Sequence, residues 1–162
     1  SSGVARFFVR DSGSSSASLD SSAGAITTGK WYFLAGTRNG NDYKGYLDGS
    51  LTASVTTSAV DVEGELDLFG IGRLSRLSPS GYLDGNLANV AIWNRALSSD
   101  EINSVMWKQY QDLNTQEING LQAWYSLDST EVFDWYGYAR NQGAVIEGRT
   151  CVDNALNALA QL

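Results

Sequence analysis

Asp-Gly and Asn-Gly pairs recur along this chain as tight-turn signals, and that restricts what it can fold into. Asn39-Gly40, Asp48-Gly49, Asp84-Gly85 and Asn119-Gly120 are each a turn signal. Glycine takes positive φ without steric cost, and Asn or Asp beside it bonds its own backbone. The segment between the first two pairs has the length of a strand. Seventeen Gly against one Pro, with abundant Ser and Thr, suit many short strands joined by tight turns. At 162 residues the chain is one domain with room for an extension, long enough to bury a sizeable core.

Taken in order, Val4–Arg10 (VARFFVR) reads as a strand. Asp11–Gly24 is rich in Ser, Gly and Asp and reads as a surface loop. Trp31–Thr37 is continuously apolar, as expected of a strand in the middle of a sandwich. Tyr43–Leu47 returns after the Asn39-Gly40 hairpin, and Leu51–Thr57 follows the Asp48-Gly49 turn, so a three-stranded meander is expected. Glu63–Ile71 (EGELDLFGI) alternates as a strand, and Gly72–Ser80 is a loop. The echo GYLDGSL at Gly45–Leu51 and GYLDGNL at Gly81–Leu87 marks two similar hairpin turns, since the flanks do not match.

Leu87–Trp93 carries apolar residues at 87, 90 and 92 and reads as a strand with one side buried. Ser98-Ser99-Asp100-Glu101 then fits a capping box, with Ile102, Val105 and Met106 behind it at helical spacing. A helix is expected over Ser99–Leu113, too short to persist without packing on the rest of the chain. Leu121–Leu127 alternates Leu121, Ala123, Tyr125 and Leu127 against Gln122, Trp124 and Ser126, so one of Trp124 and Tyr125 must face inward. Val152–Leu162 (VDNALNALAQL) closes as a short amphipathic tail helix.

The order of turn glycine, strand, aromatic residue, Asn94-Arg95-Ala96-Leu97-Ser98 and acidic helix start resembles the closing strand and corner of laminin-G-like, concanavalin A-like jelly-roll lectin domains. Trp31–Gly49 (WYFLAGTRNGNDYKGYLDG) resembles the central strand pair of that family, and Phe69-Gly70-Ile71-Gly72 its next strand. The resemblance spans about residues 4–110. Many members carry an acidic pair just after the closing-strand glycine, where this chain has Ala88 and Asn89. The stretch from LQAWYSLDS to FDWYGYARNQGAV resembles the first strand and loop of such a domain, placed late. Residues 1–113 are therefore expected to form the sandwich, 114–150 to complete it or begin a second module, and 151–162 to form the tail. The fold class implied is all-β, a two-sheet antiparallel jelly-roll sandwich with one short helix and the tail helix.

Composition excludes much chemistry. There is no His, so Ser-His-Asp and Cys-His nucleophile activation and His-based zinc sites are ruled out. The net charge is −7, from 11 Lys+Arg against 18 Asp+Glu. Without a basic cluster such a chain repels phosphate backbones, so nucleic acid is not an expected partner. No apolar run has the length of a membrane span. Cys151 stands alone, which allows no internal disulfide and leaves it a small apolar residue by the tail. The chain opens Ser1-Ser2-Gly3 with no signal peptide visible, as either a removed leader or an internal start would leave it.

Three constellations remain. Glu65-Leu66-Asp67-Leu68 resembles the catalytic strand of laminarinase-type glycosidases, where carboxylates about 5 Å apart serve a retaining mechanism. The third carboxylate is missing, because Phe69, Gly70 and Ile71 occupy its candidate positions, so no enzyme is expected and these residues read as a solvent-facing strand side. The resemblance also implies an optional calcium at a loop rim. Asp42, Asp48, Asp84 and Asp134 are the candidate ligands, although Asp before Gly is also a routine turn residue and no calcium loop of known spacing is present. No cofactor is required. Finally, Trp135, Tyr136 and Tyr138 sit on a Gly-containing loop as candidate ligand-binding residues. Flat aromatic faces stack on sugars and equally seal protein contacts.

The expected function is a non-catalytic recognition or adhesion module for a glycan or protein surface, on the outside of a cell or on a virion. The alternative is a structural subunit of a multi-subunit assembly, such as a phage decoration or fibre protein, forming a homo-oligomer or contacting neighbouring subunits.

Overall fold

The computed structural model describes residues 3–10, 16–58, 71–72, 83–127, 140–141 and 144–145. Among these, strands pair antiparallel throughout and helices are short. Two compact units emerge, one from the described residues of 3–58 with 95–108, the other from those of 71–94 with 109–145.

In the first unit, β1 (Arg6–Arg10) pairs with β2 (Ser16–Asp20) from Arg6 opposite Asp20 to Arg10 opposite Ser16. The surface loop expected over Asp11–Gly24 is thus in part a strand. Its burial alternates strictly, with Ala17 and Leu19 inward and Ser16, Ser18 and Asp20 outward. Serine-rich composition masked the period-two pattern. Buried Ser21 ties the hairpin base, accepting from the Ala5 amide at 2.9 Å through its hydroxyl and donating its own amide to Ala5 at 2.9 Å. Across the hairpin, Arg6 and Asp20 form a two-bond ion pair, Nε to Oδ1 at 2.7 Å and NH2 to Oδ2 at 2.6 Å. The pair holds the Asp20 carboxyl below its ordinary range and the Arg6 guanidinium above its own.

β3 (Leu34–Asn39), β4 (Asp42–Leu47) and β5 (Ser50–Thr56) form the expected meander, in the order β3-β4-β5. The middle strand is β4, not the run beginning at Trp31. Tyr43 and Tyr46 are buried on β4, whereas Trp31 and Leu34 are 62% and 55% exposed. The register slips between Gly45 and Tyr46, where β5 carries an extra residue. The β1–β2 hairpin lies on one face of this sheet. There Ala17, Leu19 and Tyr43 form a core flanked by Val9, Ala53 and Val55. Glycines admit the hairpin: a Cβ on Gly36 would fall inside the Phe7 ring, and one on Gly45 would stand 3.3 Å from the Leu19 Cβ. Arg38 covers the Tyr43 ring, its Cζ 5.3 Å from the centroid.

α1 (Ser99–Val105) starts as the capping box requires. Ser98 Oγ accepts from the Glu101 amide at 3.2 Å, and Glu101 Oε2 accepts from the Ser98 amide at 2.8 Å. The helix buries Ile102 and Val105, each worth roughly 1.5–3 kcal/mol of apolar burial. It ends eight residues short of the expected Leu113, because Gln109 is extended and a 3-10 turn follows at Tyr110–Asp112. The Asp112 carboxylate accepts from the Gln109 amide at 3.2 Å, giving the backbone a local alternative to helix.

In the second unit, β6 (Val90–Trp93) pairs with β7 (Leu121–Tyr125). The late strand therefore zips onto the closing strand. β6 begins at Val90 and not Leu87, since Asn89 takes φ +53° and Leu87 is exposed. Between them, α2 (Thr115–Ile118) is a single turn with a second capping box, Asn114 with Glu117. Ile92, Ala123 and Tyr125 form this unit's core, flanked by Ile71, Val90 and Leu127. A last pair, β8 (Arg140–Asn141) and β9 (Ala144–Val145), is a two-residue ladder. The strand expected at Glu63–Ile71, apart from Ile71, which stands in a bend, and the tail helix Val152–Leu162 lie outside the described residues.

Candidate functional site

The first unit carries an aromatic ledge where the chain enters β3 and leaves α1. Trp107 follows the helix and is 67% exposed. Its ring meets that of half-buried Phe33 with centroids 6.4 Å apart and planes tilted by 57°, a favourable arrangement for two ring quadrupoles. Exposed Trp31 lies two residues before Phe33.

The backbone at Phe33 is pinned from both sides by Asp48. The Phe33 amide donates to Asp48 Oδ1 at 2.8 Å, and the Asp48 amide donates to the Phe33 carbonyl at 2.8 Å. Asp48 does this from φ +48°, a left-handed position that Asp and Asn tolerate better than most residues. Gly49 beside it, at φ +76°, lies against Asn103 and Met106 of the α1 segment, where a side chain would fall inside the Asn103 amide. The β4–β5 turn thus fixes both the strand that presents Phe33 and the helix end that presents Trp107. Nearby, the Tyr32 hydroxyl bonds Thr27 through its hydroxyl at 2.9 Å and its amide at 3.1 Å, which lowers the phenol's pKa.

The helix start is electrostatically anchored. The Glu101 carboxyl is held below its ordinary value, first by the Ser98 amide and then by Arg95, whose NH1 lies 2.7 Å away.

Two of the calcium candidates, both in the first unit, stand apart. Asp42 and Asp48 stand at opposite ends of β4, about 20 Å apart along the strand. Asp42 accepts from the Thr56 hydroxyl at 2.5 Å, and Asp48 is engaged at the turn. Asp84 is exposed in a bend of the second unit. Among the described residues no group of three or more metal-ligating side chains stands together. Asp134, Trp135, Tyr136 and Tyr138 lie outside the described residues, as do Glu65–Leu68.

Sequence reading missed Trp107, placing it inside a helix, and placed Trp31 in a buried strand. One signal for Trp107 was available: at helical spacing it would fall off the Ile102–Val105–Met106 stripe. On β7 both aromatic residues are buried, on opposite faces. Tyr125 joins the core, while Trp124 packs against Trp93 at 6.3 Å in a T-shape and against Tyr110 at 6.4 Å. Trp93 Nε1 donates to the Glu117 carbonyl at 2.7 Å. Trp124 Nε1 is buried and has no hydrogen-bond acceptor among the described residues.

Among the described residues no helix is long and apolar enough to cross a membrane. Comparison with known proteins gives three findings. No curated protein matches the chain. A solved structure of an S-layer domain-containing protein (residues 221–444) from Clostridium thermocellum is similar at 24% identity and a TM-score of 0.45, over 65% of this chain and 64% of that one. The chain thus aligns with less than two thirds of that protein's resolved length. A laminin G family model, described as concanavalin A-like lectin/glucanases superfamily, matches residues 1–103. That match takes in the hairpin, the meander and the start of α1, and the chain belongs to the concanavalin A-like lectin/glucanases superfamily.

Proposed function

We propose that the protein is a non-catalytic recognition module, acting at a cell surface or in the extracellular space, that holds a glycan through exposed aromatic rings. The observation that carries this reading is the ledge of Phe33 and Trp107, with Trp31 close in sequence. The ledge stands beside the β4–β5 turn, where Asp48 holds the Phe33 backbone, and membership of a superfamily that includes lectins supports a binding role for it. Exposed tryptophan supplies large contact area at small entropic cost. An aromatic group held in place before the ligand arrives avoids the ordering cost of binding. The absence of His and the incomplete carboxylate set at Glu65–Asp67 favour binding over turnover.

The test is titration of the purified chain against a glycan panel, with reducing-sugar release followed in parallel. Saturable binding without release is expected. Release of reducing ends, lost in Glu65→Gln, would replace the reading with a glycosidase.

One observation favours a second reading, a subunit of a larger assembly. Phe7, Phe8, Leu34 and Leu51 in the first unit are between 41% and 55% exposed, more apolar surface than recognition of a glycan needs.

A further inference from the structure

We infer that Asn39-Gly40, at the tip of the β3–β4 hairpin, is a modification site, where the asparagine loses ammonia through a cyclic imide and becomes aspartate or isoaspartate. The inference is independent of what the module recognises.

Two groups must meet for this reaction, the Asn39 side-chain carbon Cγ and the Gly40 backbone nitrogen. Asn39 stands opposite Asp42 at the last rung of the ladder, so Gly40 and Asn41 alone form the tip. Asn39 and Gly40 are both exposed. Among the described residues neither the Asn39 carboxamide nor the Gly40 amide has a hydrogen-bond partner. Gly40 brings no side chain to shield its nitrogen, and the place a Cβ would take has no atom within 4 Å. Closing the imide turns the peptide between the two residues. The bond that holds Gly40 against this turn is an exposed one, from Arg38 Nε to its carbonyl at 2.9 Å.

Asn119-Gly120 is the same dipeptide in another setting. The Asn119 amide donates to the Gln116 carbonyl at 3.2 Å. The half-buried Gly120 accepts through its carbonyl from the Asn94 amide at 2.9 Å and from Gln122 Nε2 at 3.2 Å. There the same turn would pull on the join between β6 and β7, so the fold selects Asn39.

In the reaction, solvent base takes the Gly40 amide proton and the nitrogen attacks Asn39 Cγ. The N–Cγ bond forms, the Cγ–Nδ2 bond breaks, and Nδ2 leaves as ammonia with a proton from water. Water then opens the imide at either carbonyl. Breaking the new N–Cγ bond leaves aspartate in an unaltered backbone. Breaking the original peptide C–N bond leaves isoaspartate, with the chain running through Cγ. Either product sets a carboxylate across the ladder from Asp42, and like charges directly opposite destabilise a strand pair.

The test is to hold the whole chain in mildly alkaline buffer, folded and in parallel unfolded in guanidinium, and to follow its proteolytic peptides by mass spectrometry. In the folded chain Asn39 should convert several times faster than Asn119, giving both aspartate and isoaspartate, while Asn39→Gln stays intact at that position. In guanidinium the difference should vanish. Conversion at Asn119 as fast as at Asn39 in the folded chain would overturn the inference. So would an Asn39 that converts in guanidinium and not in the folded chain, or a preference that persists unfolded and therefore owes nothing to the fold. Aspartate without isoaspartate would overturn the imide route.

Discussion

Glu101 shows how much one side chain can be asked to do. Its carboxylate caps the Ser98 amide and pairs with Arg95, and both interactions favour the ionised form. A carboxyl whose folded pKa lies below its unfolded value near 4.5 stabilises the fold above that value and loses the contribution as pH falls through the folded one. Acid melting below about pH 4.5 should therefore be less steep in Glu101→Gln, which keeps a capping oxygen without the titration. Ser98→Ala should cost about 1 kcal/mol at neutral pH, measured by urea unfolding. The packed indoles of Trp93 and Trp124 in the second unit give a paired test at the same scale. Trp93→Phe removes the indole donor to the Glu117 carbonyl, whereas Trp124→Phe removes a donor that has no acceptor among the described residues. Trp93→Phe should be the more destabilising of the two by about 1 kcal/mol.

Among the elements, those set by local chemistry were legible in the sequence and those set by tertiary context were not. The capping box at Ser98 and the Asn39-Gly40 and Asp48-Gly49 turns involve only neighbours in the chain, and each stands where the residues place it. β2 was hidden, because its inward pair is only Ala17 and Leu19 and its outward residues look like loop. The end of α1 was equally hidden. No Gly or Pro marks it, and the helix gives way where Asp112 offers Gln109 another partner. The β4–β5 turn carries the sharpest prediction at this scale. Gly49→Ala forces a side chain into a left-handed position and into Asn103. It should cost at least about 1 kcal/mol and lower the melting temperature, with Asn103→Gly/Gly49→Ala recovering the part due to the clash.

For the whole molecule, the family was legible from the order of turns, strands and corner, because that order reflects the fold's connectivity. The site was less so. A sequence shows that Trp107 is apolar, but whether it is buried depends on where its helix stops, and that is decided by packing. The assembly reading makes its own prediction. Light scattering should give the monomer mass, with and without calcium, if the ledge serves a glycan. A stable oligomer that survives EDTA would transfer the exposed phenylalanines and leucines of the first unit to a subunit interface.

The pinning of Phe33 by Asp48 separates two jobs that many binding surfaces combine. Asp48 sets the backbone beneath the ledge without adding a ring to it. Positions 31 and 107 are therefore open to exchange, by natural drift or in a randomised library, while the turn beneath them keeps its shape. A surface organised this way can change its exposed rings without relearning how to fold.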